Sequence, residues 1–217
     1  MNWGNGPAWV VALVVCFCAF QAVAQTAQGE ELPFVTVRLP YHIVVEVPRA
    51  WRLTVGAAKE VVQPTNAGDL DLSSLPLPDN TVLVRAVATP TNQPAAMSMA
   101  FLPKTTLAAF QEKALASGEL TAYDQALRQK VDDFCKSQGI ALLEWQGTRK
   151  EQINDAFVVV SEYRRQGREN LPVWEQVTAI PAGNGLAVLT VSYSEPAGLP
   201  WRAVVMRIRS SLRVTRN

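Results

Sequence analysis

The chain has one histidine, which limits the acid–base chemistry that it could perform. His42 lies in the stretch "YHIVVEVPRAW", residues 41–51. A Ser-His-Asp or Cys-His mechanism would have to use this imidazole, and no "GxSxG" sequence occurs that would supply a nucleophile. The alternating pattern places His42 within a strand, on the face opposite Ile43. We interpret it as a structural, half-exposed histidine, and the sequence predicts no catalytic residue and therefore no enzyme.

Metal and cofactor sites have equally little support in the sequence. Residues 25–217 contain no "CxxC" sequence and a single histidine, which argues against zinc sites and most redox sites. Asp69 and Asp71 lie in "DLDLSS", but the glycine and the distal glutamate of a calcium loop are missing. The "AGNG" of residues 182–185 is typical of a hairpin turn. We therefore expect no metal and no cofactor.

The end of the chain is rich in arginine and has the pattern of an amphipathic helix over residues 200–214. Four arginines fall within about 60° of one another on a helical wheel. They are Arg202, Arg209, Arg213 and Arg216. Two interpretations stay open: a solvated face whose cations suit a helix C-terminus, or a candidate docking surface for an acidic partner or a membrane.

The beginning of the chain has the pattern of a secretory signal peptide over residues 1–24. Residues 8–20 are thirteen apolar residues in a row, and no charged side chain precedes Glu30. The small residues "AVA" then predict cleavage between Ala24 and Gln25. The protein is therefore expected to be periplasmic or secreted.

A membrane anchor and a lipoprotein are the alternatives to a cleaved leader. A helix needs roughly 20 apolar residues to span a bilayer, and Gln21 ends this run early. Lipidation would use Cys16 or Cys18, but valine and phenylalanine precede them where a small residue is expected. We favour cleavage, which leaves no stable membrane span, although retention of the leader as an anchor stays open.

Removal of 24 of the 217 residues leaves 193, enough for one domain. We expect a flexible start over residues 25–33 and a single α+β domain over residues 34–217. All 20 Lys and Arg and all 19 Asp and Glu follow the leader, so the net charge stays near +1 and favours no nucleic-acid partner. Cys135 then stands alone, and we interpret it as a buried small hydrophobe, with an intermolecular disulfide as the alternative.

Strands dominate the predicted elements. Stretches rich in β-branched residues and bounded by turn-formers predict eight strands. They cover residues 34–39, 42–47, 81–89, 95–102, 140–146, 156–164, 171–180 and 186–194. An apolar spacing of three to four predicts two further helices over residues 105–118 and 121–139, and residues 63–80 predict a long loop. The predicted fold class is α+β, an antiparallel β-sheet flanked by helices.

Several of these segments together resemble the PsbP-like family, which includes a photosystem II extrinsic protein, a yeast Ran-binding nuclear-transport factor and bacterial envelope accessory proteins. The similar segments are "VEVPRAW", with Pro48 and Trp51, "EQINDAFVVVSEYR", and "PVWEQVTAIPAGNGLAVLTVSYSEP" followed by "RIRSSLRV". Asp155 replaces the usual glycine and Leu212 the usual aromatic residue. The resemblance implies an α-β-α sandwich, usually non-enzymatic, that binds proteins, and it carries over no metal or partner site.

Three functions are compatible with this sequence. The first is an exported, non-catalytic protein-binding or accessory module of the bacterial cell envelope, with a protein partner of unknown identity. The second is an immunity-type inhibitor of a toxin in the same compartment. The third is a carrier of a small apolar ligand, which would be held between sheet and helices by Trp145, Trp174, Met97 and Met99.

Overall fold

The computed structural model describes seven segments of the chain. They are residues 32–56, 60–62, 69–74, 82–88, 95–103, 120–183 and 185–215. The predicted leader with its cleavage residues Ala24 and Gln25, the helix predicted over residues 105–118 and most of the loop predicted over residues 63–80 lie outside them.

The described elements form two β-sheets and two helices. In chain order they are β1 (Phe34–Leu39), β2 (Ile43–Pro48), β3 (Arg52–Val55), β4 (Glu60–Val62), β5 (Leu70–Asp71), β6 (Val82–Val87), β7 (Ala95–Pro103), α1 (Leu120–Ser137), β8 (Leu142–Ile153), β9 (Ala156–Gln166), β10 (Pro172–Ala182), β11 (Gly185–Ser194), α2 (Gly198–Ser211) and β12 (Arg213–Val214). An eight-stranded sheet has the order β4-β3-β6-β7-β11-β10-β9-β8, and a four-stranded sheet has the order β12-β2-β1-β5.

The larger sheet is antiparallel throughout, as the short predicted turns require. All eight predicted strands are confirmed as strands. The largest difference in a boundary is that β8 continues to Ile153. Four described strands lie outside the eight predicted ones: β3, β4, β5 and β12. The two-residue strand β5 lies within the predicted loop, where Leu70 pairs in parallel with Val37 of β1.

The placement of His42 in a strand is wrong. It lies in a short 3-10 turn, Pro40–His42, where Tyr41 and His42 have positive φ angles of 63° and 60°. The turn ends β1 and starts β2, and the Tyr41 ring stacks on Phe101 with 3.4 Å between centroids. Trp51 is buried, and its backbone N–H donates to the Pro48 carbonyl over 3.0 Å. The stretch therefore shapes a corner of the fold and leaves His42 exposed.

The two helices lie on opposite faces of the larger sheet. One face, here called the core face, carries Met99, Leu189 and Val160 in one cross-strand row and packs against the four-stranded sheet and α2. The other face carries Tyr163 and Val177, which pack against α1. Helices thus cover both faces, but the predicted α-β-α sandwich fits only in part, because a second sheet shares the layer that holds α2.

Helix α1 packs through one apolar stripe, as its spacing predicts. Val131, Phe134 and Cys135 are its buried residues, and the free Cys135 thiol is fully buried, which confirms the interpretation as a core residue. Within the described segments, no helix combines the length and apolarity that a membrane crossing needs.

Candidate functional site

The larger sheet ends in a long strand whose outer edge has no strand partner among the described residues. Among the strands that the structure describes, β8 pairs with β9 alone. It has twelve residues, which span about 40 Å at 3.3–3.4 Å per residue. Proteins usually keep edge strands short or cover them, since the free N–H and C=O groups of an edge attract another strand. The strand at the opposite end of the sheet, β4, follows this pattern with three residues.

Two irregularities interrupt the pairing of the first half of β8 with β9. The pairing register with β9 shifts between Leu142 and Glu144 and again between Trp145 and Gly147. Such bulges leave a residue unpaired and redirect its side chain, often beside a functional site. The residue between the first pair is Leu143, and it is 49% exposed. The second half of β8, from Thr148 onward, pairs regularly.

A groove of about 460 Å³ lies between α1 and the bulged half of β8. The wall on α1 consists of four polar side chains spaced three and four residues apart, which places them on one side of the helix. They are Gln125, Arg128, Gln129 and Asp132. The wall on β8 consists of Leu142, Leu143, Glu144 and Trp145. We call these eight residues the edge groove.

Trp145 fixes the position of α1 relative to β8. Its indole N–H donates to Asp124 Oδ1 over 2.9 Å, and its ring stacks on Tyr163 with 5.6 Å between centroids and 13° between planes. Asp124 lies near the start of α1, which begins at Leu120, and its carboxylate faces the indole. The two walls are therefore joined by a hydrogen bond and a ring contact.

A buried ionic cluster lies beneath the groove, between α1 and the sheet. Glu175 accepts a hydrogen bond of 2.5 Å from the Tyr163 hydroxyl at Oε1 and one of 2.9 Å from Arg165 Nε at Oε2. Burial, followed by the charge of Glu175, raises the pKa of Tyr163 well above its usual value. Burial alone would lower the pKa of Arg165, but the pairing with Glu175 raises it. The pairing with Glu175 therefore keeps the Arg165 guanidinium charged in the interior.

The charges in the edge groove are unequally compensated. Asp132 pairs with Lys136 over 2.6 Å, and Glu144 pairs with Arg164 over 3.1 Å. Among the described residues, Arg128 has neither an ion pair nor a side-chain hydrogen bond. Within the described residues, the groove thus presents two ion-paired acids, of which Glu144 shares Arg164 with Glu195, and one guanidinium without a side-chain partner.

The arginines predicted to share a face of the last helix do not do so. Helix α2 ends at Ser211, and Arg213 lies in β12, where it pairs with Val44 of the small sheet. The helical-wheel argument is therefore wrong for Arg213. Arg216 lies outside the described residues, and Arg202 is exposed on α2.

Arg209 is buried instead of forming part of a docking surface. Its guanidinium donates to Glu151 of β8, and Glu151 also accepts a hydrogen bond of 2.6 Å from Arg149. Burial, followed by repulsion from Arg149, lowers the pKa of Arg209. This ion pair links α2 to β8 on the core face, so the Arg209 guanidinium already has a partner.

Asp69 and Asp71, the acids considered for a calcium loop, also have partners. Asp69 pairs with Arg38 over 2.8 Å, and hydrogen bonds from Thr36 and then Arg38 lower its pKa. Asp71 accepts from the Ser73 backbone N–H over 2.9 Å. The described part of the chain holds no group of three or more His, Cys, Asp or Glu side chains that could hold a metal ion.

The four residues considered for an apolar ligand do not meet. Met97, Met99 and Trp174 are buried within the core-face cluster, whereas Trp145 packs in the α1 cluster on the opposite face of the sheet. The sheet separates them, so this set forms no single cavity.

Sequence reasoning missed the edge groove. The polar residues of α1 look like an ordinary solvated face, and "TRKEQI" has polar residues on both faces of a strand, which gives no alternating signal. The unbroken polar segment before the "ND" turn at residues 154–155 was the one available sign of a long edge strand.

The structure is similar to that of cyanobacterial PsbP (CyanoP) from Synechocystis sp. PCC 6803. The two have 14% sequence identity and a TM-score of 0.53, over 89% of this chain and 99% of CyanoP. The protein of unknown function PA94 from Pseudomonas aeruginosa, described as a putative regulator, has 14% identity and a TM-score of 0.36 over 57% of this chain and 74% of PA94. No protein-family model and no curated protein matches the sequence. The chain therefore has a PsbP-like fold, as its sequence segments predict.

Proposed function

We propose that this protein is an exported, non-catalytic protein-binding or accessory module of the bacterial cell envelope, and that it binds its partner through the edge groove. One observation carries the proposal: a twelve-residue edge strand whose outer side has no strand partner among the described residues lies beside a groove with an exposed leucine. An open edge gives a partner main-chain hydrogen bonds, and a groove gives it side-chain contacts.

The free energies of the expected interactions favour a modest affinity for the partner. Each main-chain hydrogen bond adds roughly 0.5–1.5 kcal/mol net, and complete burial of Leu143 would add roughly 1.5–3 kcal/mol. Association itself costs several kcal/mol in lost freedom. A few hydrogen bonds with one leucine therefore exceed that cost by at most a few kcal/mol, so the side chains that enter the groove must supply the rest of the affinity.

Export is supported by the leader-like pattern of residues 1–24. The absence of a histidine-based mechanism from the sequence, together with the resemblance to a family that usually binds proteins, supports the non-catalytic part of the proposal. An immunity-type inhibitor would be one form of the same function, and the retained protein would then be a toxin.

A pull-down with matched variants tests this proposal. The bait is the C-terminally tagged protein from its own cells, as wild type, as Leu143→Asp and as Phe157→Asp. Phe157 is 65% exposed but lies in β9 outside the groove, so its variant makes the same chemical change elsewhere. We expect wild type and Phe157→Asp to retain the same protein and Leu143→Asp to lose at least tenfold. Equal retention by both variants, or none by wild type, would contradict the proposal.

A further inference from the structure

We infer that the partner contributes an extended, acidic segment that adds to β8 as an additional strand and places a carboxylate on Arg128. The inference rests on the proposed function and names the chemistry of the partner at the same groove. It depends on three features: the form of the strand edge, the shape of the groove and the distribution of charge within it.

The strand edge has the form that strand addition needs. From Thr148 to Ile153 each residue of β8 has its own partner in β9, so the outer N–H and C=O groups of this half follow a regular spacing. Arg149, Lys150 and Gln152 are exposed along it. An extended segment can therefore continue the ladder without a change in β8 itself.

The groove has the size for side chains of such a segment. Its 460 Å³ lies within the range of roughly 300–1,000 Å³ that is typical of ligand pockets. Four consecutive residues of β8 form one wall of the groove, and one side of α1 forms the other. An extended segment on the bulged half of β8 would therefore run between α1 and the strand, and Leu143 would contact its apolar side chains.

The distribution of charge in the edge groove favours an acidic segment of the partner. Asp132 and Glu144 each have a cationic partner, at 2.6 Å and 3.1 Å. Arg128 lies on the same wall as Asp132 and has no such partner in the part of the chain that the structure describes. A guanidinium binds a carboxylate through two parallel hydrogen bonds, which fixes orientation as well as charge. An aspartate or glutamate of the partner fills this position.

Selection from a peptide library tests the inference. The tagged protein is presented to a phage library of random twelve-residue peptides as wild type, as Arg128→Gln and as Arg202→Gln, the last removing an exposed arginine outside the groove. We expect wild type and Arg202→Gln to select peptides enriched in aspartate or glutamate. Arg128→Gln should bind these peptides at least tenfold more weakly and lose the acidic preference. Selection without acidic enrichment, equal binding by Arg128→Gln, or no selected peptide would overturn the inference.

Backbone methylation of a selected peptide tests strand addition separately. N-methyl groups at alternate residues should abolish binding in one register and leave it unchanged in the other, because only every second amide of an added strand faces β8. Equal effects of methylation on peptide binding in both registers would overturn this mode of binding. Concentration-dependent dimers in which a second copy of the chain pairs with β8 would overturn it as well.

The pull-down distinguishes a failure of the proposed function from a failure of the acidic-segment inference. If wild type retains a protein in the pull-down and Arg128→Gln retains it equally, the protein-binding function stands and the acidic segment is wrong. If wild type retains nothing, the function itself fails.

Discussion

The Tyr163 hydroxyl donates a hydrogen bond of 2.5 Å to Glu175 Oε1 in the layer between α1 and the sheet. Arg165 holds the other carboxylate oxygen, and the Arg165 and Glu175 side chains are 8% and 4% exposed. A buried charge is tolerated only while its partner is present. The floor of the edge groove therefore depends on three polar side chains from two neighbouring strands, β9 and β10.

Glu175→Gln should destabilise the protein by about 3 kcal/mol or more, because it leaves the Arg165 guanidinium buried without a counter-charge. Tyr163→Phe is the matched comparison. It removes one hydrogen bond to a charged group and should cost about 2 kcal/mol. Urea unfolding followed by tryptophan fluorescence measures both free energies. A change below 1 kcal/mol for Glu175→Gln would show that the pair is not isolated from water.

Cys135→Ala should change the alkaline pH dependence of stability. Burial is the largest of the effects that raise the pKa of the Cys135 thiol from 9.0 to about 11. The folded state thus keeps a proton that the unfolded state loses, so the free energy of unfolding falls as the pH rises from 9 to 11. The two-unit difference corresponds to about 3 kcal/mol.

Denaturation curves between pH 7 and pH 11 test this expectation. Cys135→Ala should be about 1 kcal/mol less stable at pH 7 because a small cavity remains, but it should decline less between pH 9 and pH 11. Buried Tyr163 remains in both proteins, and of the causes that raise its pKa only the last-named, the charge of Cys135, differs between them. Parallel curves for wild type and variant would refute a buried, titrating thiol.

Gly185→Ala should be severely destabilising. A Cβ atom there would lie 2.1 Å from the backbone carbonyl oxygen of Leu102 in β7, which cannot move without disrupting the sheet. We expect a loss of about 3 kcal/mol. Gly183→Ala, in the same turn, has a φ of +54° and open space around the new atom, so it should cost only about 1 kcal/mol. Similar melting temperatures for the two variants would contradict this placement of β7 and β11.

Export predicts a specific N-terminus. Protein recovered from its own cells should begin at Gln25, because the predicted cleavage follows Ala24. Intact-mass measurement and N-terminal sequencing of the tagged protein read this directly. A chain that keeps residues 1–24 would exclude cleavage and support retention of the leader.

Much of the sheet could be predicted because short sequence patterns within each strand and turn indicate its strands. The β-branched run of β9 and the "AGNG" turn before β11 fix strands and pairing within a few residues of sequence. Strand β5 could not be predicted, since Leu70 and Asp71 are extended only because they pair with β1, some 33 residues away. The end of α2 is likewise set by tertiary contact, where the Ser211 hydroxyl accepts a hydrogen bond from the Glu46 backbone N–H.

The candidate site was less predictable than the fold. The solitary histidine and the arginine-rich end attract attention as residue types, yet His42 occupies a turn and Arg209 is held by Glu151. The edge groove depends on the distance between α1 and β8 and on two register shifts, and neither is encoded in a local pattern.

Site-specific photo-crosslinking in cells locates the surface that the partner contacts and so tests binding at the edge groove. A photoreactive phenylalanine derivative replaces Leu143 in one protein and Phe157 in another, and both are irradiated in cells that produce them. Binding at the edge groove predicts a crosslinked partner from position 143 and none from position 157, and Arg128→Gln should reduce the yield at position 143 at least tenfold. Crosslinks of equal yield from both positions, or from position 157 alone, would contradict it.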